Sequence, residues 1–376
     1  MEQRLHPKMA DYIKKCNPIF SIHNHVLNHN HVPDGFLGRR MPWLFTHWRL
    51  SMLEHFVGFF GRFIKQVRGE NLKYLRNFID VFDNETSVQT FEELLKHEKQ
   101  PTIYGLLLMD MKMSIEGKMV KTITQQMDDA VAVRNKYPEK VLLFMAIDPN
   151  NPDAMINYRR AFSKEYNFYG VKIYPSLGYL PSHPILMQIF KECEANDIPV
   201  IAHCSSCCMK PWYKKLSLVG KSVVDGQLVD HFQMVEWKTK GDYETLNDPK
   251  NWLPVLMTYP NLRLNLAHFA GCQWPKFIAR ESTDNWVNDI IDLMWKYQNV
   301  YTDFSYTLWN KDYYPVLQSM CEINFVVANR LLYGTDWYML LQDANYDEVC
   351  EAFKTYMGEK IMNKIARDNP RKFLNI

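Results

Sequence analysis

The stretch PIFSIHNH, residues 18–25, is a short apolar run that ends in a histidine–asparagine–histidine sequence. Seven later stretches also contain a short apolar run, and many of them are rich in β-branched residues. They are TIYGLLLMDM (102–111), KVLLFMAIDP (140–149), FYGVKIYP (168–175), IPVIAHC (198–204), LRLNLAHF (262–269), NVYTDFS (299–305) and RLLYGTDW (330–337). Such runs are typical of strands buried on both faces of a parallel sheet. The sequence therefore predicts eight strands.

The segments between these runs have the pattern of amphipathic helices. Residues 119–140 and 185–199 each carry apolar side chains at helical spacing, and residues 282–298 begin at Ser282, a candidate N-cap. Strands that alternate with helices form either a closed barrel or an open doubly wound sheet, and eight such units favour the barrel. We therefore expect an α/β fold, a (β/α)8 TIM barrel.

Two segments are too long and too mixed in composition for a single connection in such a barrel, residues 30–98 and 205–250. They follow the first and fifth predicted strands. Loops that follow barrel strands lie at the C-terminal face, so both insertions are predicted to roof the active site. No linker or low-complexity segment separates them from the rest, and we expect residues 1–376 to form one domain.

Composition and charge exclude several classes of protein. Of the 376 residues, 47% are hydrophobic, which is ample for a large core and excludes a disordered chain. The net charge of +2 lacks the basic excess of a nucleic-acid-binding protein. The sequence has no run of 18 apolar residues, no secretory signal, and eight irregularly spaced cysteines. We expect a soluble, reduced, cytoplasmic protein without a membrane partner.

Five of the predicted strands end in polar side chains. The first strand ends in His23 and His25, and the other four end in Lys172, His203, His268 and Asp336. The C-terminal ends of barrel strands converge, although these residues are far apart in the sequence. Residues two apart on a strand share a face, so His23 and His25 can ligate one ion together. Imidazole and carboxylate ligands suit zinc and its first-row neighbours. The pattern predicts a divalent metal site.

Taken in order, these strand ends resemble the amidohydrolase superfamily. The phrases GVKIYP (170–175), RLLYGTDW (330–337) and IARDNPRKFLNI (365–376), with Asn369, resemble in particular its amidohydrolase-related branch (amidohydrolase family 2), which contains metal-dependent hydrolases and decarboxylases. The resemblance extends over about residues 17–376. One position departs from it, because many members have an aspartate where this chain has Ser21.

The resemblance implies a role for each residue of the set. It assigns the ligands of a single divalent ion, zinc or else manganese or iron, to His23, His25, His203 and Asp336. Asp336 would also transfer a proton, and His268 would polarise the substrate or bind a second metal. Lys172 would bridge two ions only if carboxylated, and unmodified it would pair with Asp336 or Asp303 or bind a substrate anion. One ion is favoured over two.

The expected activity is metal-dependent hydrolysis of a C–O or C–N bond in a small, carboxylate-bearing molecule. Decarboxylation of an aromatic or unsaturated acid on the same barrel is the first alternative, and non-catalytic metal or small-molecule binding is another. Candidate substrate contacts are Tyr174 and Trp337, beside the proposed ligands, and Arg49 in the first insertion, although each can equally pack the barrel. The family often forms homo-oligomers.

Two further motifs have plainer interpretations. The letters HNH suggest a nuclease, but the charge balance argues against DNA, and His29 with His31 is expected to lie in a solvated loop. The Cys204/Cys207/Cys208 cluster contains a C-x-x-C spacing without a thioredoxin-like pattern around it. We expect those thiols to be reduced and to serve packing.

Overall fold

The structure is a computed structural model that describes residues 5–33, 69–113, 119–207, 215–236 and 243–376. Eight parallel strands form one sheet in the order β1-β2-β3-β4-β5-β8-β9-β10, and an antiparallel hairpin, β6–β7, stands apart. The strands are β1 (Ile19–Asn24), β2 (Thr102–Leu107), β3 (Val141–Ala146), β4 (Gly170–Ile173), β5 (Val200–Ser205), β6 (Lys215–Val224), β7 (Gln227–Glu236), β8 (Leu264–Ala270), β9 (Val300–Asp303) and β10 (Leu331–Leu332).

The first and last strands of the sheet lie side by side. The backbone N–H of Ile22 donates to the carbonyl of Tyr333 at 3.1 Å, and that of His25 donates to the carbonyl of Trp337 at 2.6 Å. These bonds bring the chain beyond β10 against β1 and nearly close the barrel. All eight predicted strands are confirmed, and the TIM barrel with them.

Helices alternate with the strands. They are α1 (Pro7–Cys16), α2 (Gly69–Phe82), α3 (Ser87–Lys96), α4 (Ile123–Lys136), α5 (Ala154–Ala161), α6 (Pro184–Ala195), α7 (Leu253–Thr258), α8 (Trp274–Ile278), α9 (Trp286–Lys296), α10 (Tyr314–Ile323), α11 (Phe325–Arg330), α12 (Tyr346–Asn363) and α13 (Asn369–Leu374). The predicted helices correspond to α4, α6 and α9. Ser282 does not cap α9, because the side chain of Asn285 accepts the backbone N–H of Asn288 at 3.1 Å.

Apolar side chains fill two layers. One cluster lies inside the barrel and includes Phe20, Ile22, Leu107 and Ile201, all 2% exposed or less. A larger cluster joins the outward faces of the strands to the helices. Every residue of β1 to β5 is buried, as expected of strands covered on both faces. Both layers hold the strand ends in fixed positions.

The described parts of the two insertions lie in different places. Helix α2 lies beyond the end of β10, where Phe78 packs on Tyr338 with ring centroids 5.3 Å apart. Helix α3 packs beside α4 in the helical layer, with Phe91 against Tyr137. In the second insertion, Leu218 of the hairpin shares a small apolar cluster with residues that follow β4. None of the helices in the described part of the chain combines the length and hydropathy needed to cross a bilayer.

Candidate metal centre

The barrel brings all six polar strand-end residues predicted from the sequence to one place. The imidazole rings of His23 and His268 have centroids 4.7 Å apart, and those of His203 and His268 lie 4.5 Å apart. Ligand atoms of His23, His268 and Asp336 lie within 4.8 Å of one another. The six side chains are all buried, and they are His23, His25, Lys172, His203, His268 and Asp336.

His23, on β1, is oriented by a carboxylate on β9. Its Nδ1 lies 3.2 Å from Oδ2 of Asp303. Burial raises the pKa of Asp303, but the imidazoles of His23 and His268 and the hydroxyl of Ser305 hold that pKa well below its usual range. An ionised carboxylate only accepts hydrogen bonds, so Nδ1 of His23 carries the ring proton. Its Nε2 therefore presents a lone pair to the cluster.

Backbone carbonyls fix the other three histidines in the same manner. His25 Nδ1 donates to the carbonyl of Leu107 at 2.9 Å, and His268 Nδ1 donates to that of Ser305 at 3.0 Å. His203 uses the opposite nitrogen, and its Nε2 donates to the carbonyl of Cys207 at 3.1 Å. Because a carbonyl oxygen cannot donate, each of these nitrogens bears the proton. Burial lowers the pKa values of His203 and His268, so the remaining nitrogen of each of these two rings carries a lone pair.

The ring nitrogens of the cluster face one another and a carboxylate. His268 Nε2 lies 3.0 Å from His203 Nδ1, and His25 Nε2 lies 3.3 Å from Asp336 Oδ1. Burial lowers the pKa of His23 to about 3 and also lowers the pKa values of His203 and His268. These three rings are therefore neutral at neutral pH, and no second ring proton separates their facing nitrogens. Such an electron-rich group is repulsive unless a cation joins it.

Asp336 supplies the only carboxylate among these six residues. Burial raises its pKa, but the surrounding histidines lower it more, and the net pKa is well below the usual range. Its Oδ1 is buried and has no hydrogen-bond partner among the described residues. A buried carboxylate oxygen without a donor is costly. Neutral imidazoles and an unpaired carboxylate oxygen are the donor set that a divalent metal takes, and the residues fit such an ion.

The backbone is locally strained where two of these residues stand. His268 has φ of 72° and Asp336 has φ of 57°, both in the left-handed region. Non-glycine residues held there cost on the order of 1 kcal/mol, and such residues cluster at functional sites. Gly334 lets the chain that leads to Asp336 pass close to His23, because a Cβ at position 334 would lie 2.9 Å from Cβ of His23. The Gly-Thr-Asp motif thus has a packing reason as well as a chemical one.

Lys172, on β4, points into the same cluster. Its Nζ lies 3.3 Å from Nε2 of His23. Burial lowers the pKa of Lys172 to about 8, although the charges of Asp336 and Asp303 act to raise it. Within the described residues it forms no ion pair with either aspartate at the usual distance. Lys172 therefore adds a nitrogen, charged or neutral, to the edge of the cluster.

The three candidate substrate contacts have different outcomes. Tyr174 is half-buried and stacks on His203, with ring centroids 4.1 Å apart and an angle of 23° between the rings. Trp337 is 1% exposed, and its ring packs against Tyr346 at 4.9 Å and His97 at 5.3 Å. Tyr174 therefore borders the cluster, whereas the Trp337 ring contributes to packing beside it. Arg49 lies outside the described residues.

The second histidine pair stands apart from the cluster. His31 Nε2 lies 2.7 Å from a carboxylate oxygen of Asp129, and His29 is half-exposed beside Asp83. The expectation of a solvated loop is wrong for His31, which is 1% exposed. The hydrogen bond with Asp129 gives that histidine a structural partner that the sequence pattern did not reveal.

Asp303 is the main residue of the centre to which the sequence pattern assigned no role of its own. It accepts from Asn265 Nδ2 at 2.6 Å and from the backbone N–H groups of His268 and Ser305 at 3.0 Å each. It therefore orients one histidine directly and another through its backbone. The signal was present, because Asp303 stands in the run NVYTDFS (299–305) and is the last residue of β9.

The expectation that the cysteines are all reduced is wrong for one pair. Cys207 and Cys272 form a disulfide with their Cα atoms 5.7 Å apart. They follow β5 and β8, which are neighbours in the barrel although the two cysteines are 65 residues apart in sequence. That adjacency was invisible in the local C-x-x-C spacing. Cys204 is buried and free, and Cys208 lies outside the described residues.

Comparisons with known proteins agree with this fold. A 2,6-dihydroxybenzoate decarboxylase bound to 2,6-dihydroxybenzoate matches 95% of this chain and 98% of its own, with a TM-score of 0.55 and 14% identity, and the Rhizobium enzyme gives 0.54. A 5-carboxyvanillate decarboxylase from Novosphingobium aromaticivorans, complexed with manganese and 4-hydroxy-3-methoxy-5-nitrobenzoic acid, matches 96% of each chain, with a TM-score of 0.54 and 11% identity. At such identities the likeness shows a shared fold.

The family itself is established by sequence. No curated protein matches the chain. A family model for amidohydrolases, however, matches residues 107–376, which include Lys172, His203, His268 and Asp336. That match covers well over half of the sequence, and the chain belongs to the amidohydrolase family.

Proposed function

We propose that the chain is a metal-dependent decarboxylase of a small aromatic or unsaturated carboxylic acid. One divalent ion would be held by His23, His25, His203 and Asp336. The observation that carries this proposal is the convergence of buried imidazole nitrogens and of Asp336 Oδ1, a carboxylate oxygen without a hydrogen-bond partner among the described residues. Zinc is the first choice for these ligands, and manganese or iron would also suit them. When bound, the ion would supply Lewis acidity.

The residues around the ligands support a carboxylate-bearing, flat substrate. Lys172 brings a buried amine to the cluster, and an ammonium there would attract a carboxylate. Tyr174 lies parallel to His203 and offers an aromatic face at the border of the cluster. His268 presents its unprotonated Nε2 to the same point, where it would accept a hydrogen bond from a substrate hydroxyl. Both similar decarboxylases were solved with hydroxybenzoic acids, which have this character.

Asp336 is the residue that we assign to proton transfer. Decarboxylation replaces a carbon–carbon bond by a carbon–hydrogen bond, so each turnover consumes one proton and releases carbon dioxide. Asp336 would bind the ion through one carboxylate oxygen, which leaves the other oxygen free to take a proton and deliver it to carbon.

Hydrolysis of a C–O or C–N bond is the second candidate. The same free oxygen of Asp336 favours it, because a carboxylate beside an attacking water can remove that water's proton and pass it to the leaving group. Neither candidate needs a second ion. The two differ in their products, since only decarboxylation releases carbon dioxide.

The deciding experiment begins with metal-loaded protein and two acids, 2,6-dihydroxybenzoate and 5-carboxyvanillate, followed by other hydroxybenzoates. Carbon dioxide release by the wild type, lost in Asp336→Asn, would support decarboxylation. Hydrolysis of an ester or amide panel without carbon dioxide release would support the second candidate. A protein that binds metal equally well as wild type and as Asp336→Asn, with no turnover of either panel, would instead indicate a non-catalytic binding protein.

A further inference from the structure

The disulfide lies directly beside the candidate metal centre. Cys207 follows His203 by four residues, and Cys272 follows His268 by four residues. Both cysteines are exposed, whereas the two histidines are buried. The disulfide thus links the two loops that leave a pair of site histidines, and it does so where a solvent-borne thiol can reach it. Exposed disulfides are commonly the labile and regulatory ones.

One hydrogen bond connects this disulfide to the centre. The carbonyl of Cys207 accepts the Nε2 proton of His203 at 3.1 Å. That bond decides which nitrogen of His203 is unprotonated, and it directs Nδ1 towards His268. Cys207 thus supplies both a sulfur of the disulfide and the carbonyl oxygen that accepts this hydrogen bond. A change in the position of Cys207 therefore acts on the orientation of His203.

The loops are packed closely enough for the disulfide to set that position. The backbone N–H of Cys207 donates to Oγ of Ser205 at 3.1 Å. The same hydroxyl lies against Gly271, where a Cβ would come within 2.1 Å of Oγ and where φ is +49°. The residue before Cys272 thus touches the residue that anchors Cys207. The contact between Ser205 and Gly271, the disulfide and the hydrogen bond from His203 to Cys207 are therefore directly connected.

We propose that Cys207–Cys272 is a thiol–disulfide exchange site that controls how firmly His203 is held in the metal centre. This inference rests on the proposed function, because it takes His203 to be a metal ligand. The reductant is a dithiol or two equivalents of a monothiol. One thiolate attacks a sulfur of the disulfide, the S–S bond breaks, and a mixed disulfide forms while the other cysteine leaves as a thiolate.

A second thiol then resolves the mixed disulfide. Two electrons pass from the reductant, which becomes a disulfide, and Cys207 and Cys272 end as thiols or thiolates according to the pH. Without the covalent link, the carbonyl of Cys207 no longer has a fixed place, and His203 loses the fixed acceptor for its Nε2 proton. Loss of such a partner of a metal-bound histidine typically weakens metal affinity about 10–100-fold.

The thiol state is tested first, by iodoacetamide labelling of the full chain and peptide mass spectrometry. Cys207 and Cys272 should be unlabelled in air-purified protein and labelled together after treatment with a phosphine reductant under native conditions. Labelling of both without reductant would overturn the inference, and so would failure of the folded protein to be reduced at this disulfide.

Coupling to the metal centre is tested by zinc affinity, measured by competition with a chromogenic chelator. Zinc binding should weaken at least tenfold in phosphine-reduced protein and in Cys272→Ser, and it should recover when the wild type is reoxidised. The control is Cys16→Ser, which removes a half-buried free cysteine on α1 and should match the wild type. Equal affinity of the oxidised and reduced wild type would overturn the inference, even if Cys272→Ser does not fold.

Failure of the proposed function gives a different result. If oxidised protein takes up no zinc, manganese or iron, the metal centre is wrong. The inference is then judged on metal-free protein by hydrogen–deuterium exchange at the imidazole C2 position of His203. Faster exchange after reduction would support control of His203 by the disulfide, and an unchanged rate would overturn it.

Discussion

Asp303 Oδ2 lies 3.2 Å from Nδ1 of His23, and this contact joins the ends of β9 and β1 at the bottom of the candidate metal centre. It fixes the ring proton of His23 on Nδ1 and leaves Nε2 unprotonated. The same carboxylate accepts the backbone N–H of His268. One buried aspartate therefore aligns groups on two strands, and such partners tune metal sites nearly as strongly as the ligands do.

Replacement of Asp303 should weaken metal binding without removing a ligand. In Asp303→Asn the carboxylate that accepts the His23 proton is replaced by a neutral amide, so the His23 tautomer is no longer enforced. We expect metal affinity to fall about 10–100-fold, measured by chelator competition. The control Asp312→Asn changes an exposed aspartate and should leave affinity unchanged. Wild-type affinity in Asp303→Asn would refute this role.

Substitutions should separate the proposed ligands from the second histidine pair, His29 and His31. His203→Ala and Asp336→Ala should abolish turnover of any substrate found, and each should lower the metal content at a fixed metal concentration. His29→Ala should retain wild-type turnover, since His29 is half-exposed and lies beside Asp83. Elemental mass spectrometry and turnover assays give both readings. A fully active His203→Ala protein would exclude the site model.

Most of the centre could be predicted from the sequence because two simple rules cover it. Strand runs are recognisable by their apolar content, and the C-terminal ends of barrel strands converge whatever their spacing in the chain. His23 and His25 follow from the two-residue period of a strand. The same rules apply to Asp303, and its role was missed only because a lone aspartate after a buried run resembles an ordinary turn residue.

Other features depend on contacts that no local pattern encodes. The Cys207–Cys272 disulfide requires β5 and β8 to be neighbours, and this follows from the order of the strands rather than from cysteine spacing. The hydrogen bond of His31 with Asp129 joins residues 98 positions apart. Trp337 adjoins a ligand in sequence, but its ring packs towards Tyr346 because side chains of neighbouring residues diverge.

The number of ions can be tested through Lys172. We expect one equivalent of metal per chain in the wild type, and an intact mass that lacks the added carbon dioxide of a carboxylated lysine. Lys172→Met should still bind one ion and should bind a benzoate-type inhibitor more weakly, because the amine beside His23 is gone. Two equivalents in the wild type that fall to one or none in Lys172→Met would favour a bridging, carboxylated lysine instead.

A buried carboxyl after β3 gives a prediction about stability and pH. Asp148 is 1% exposed, and burial, with a smaller contribution from the charge of Asp110, raises its pKa to about 8. The folded protein therefore holds this proton up to a higher pH than the unfolded chain, in which the pKa is near 3.8. The stabilisation is fully present below pH 3.8 and is lost as the pH rises towards 8.

Asp148→Asn removes this ionisation and should make the protein more stable than the wild type at pH 8, by on the order of 5 kcal/mol. The difference should shrink to nearly nothing at about pH 4, because both chains are then neutral at this position. Thermal unfolding across this pH range measures it. The control Asp153→Asn alters an exposed residue whose side chain caps no helix, and it should follow the wild type at every pH. A stability gain of Asp148→Asn that does not vary with pH would show that packing, rather than the retained proton, is responsible.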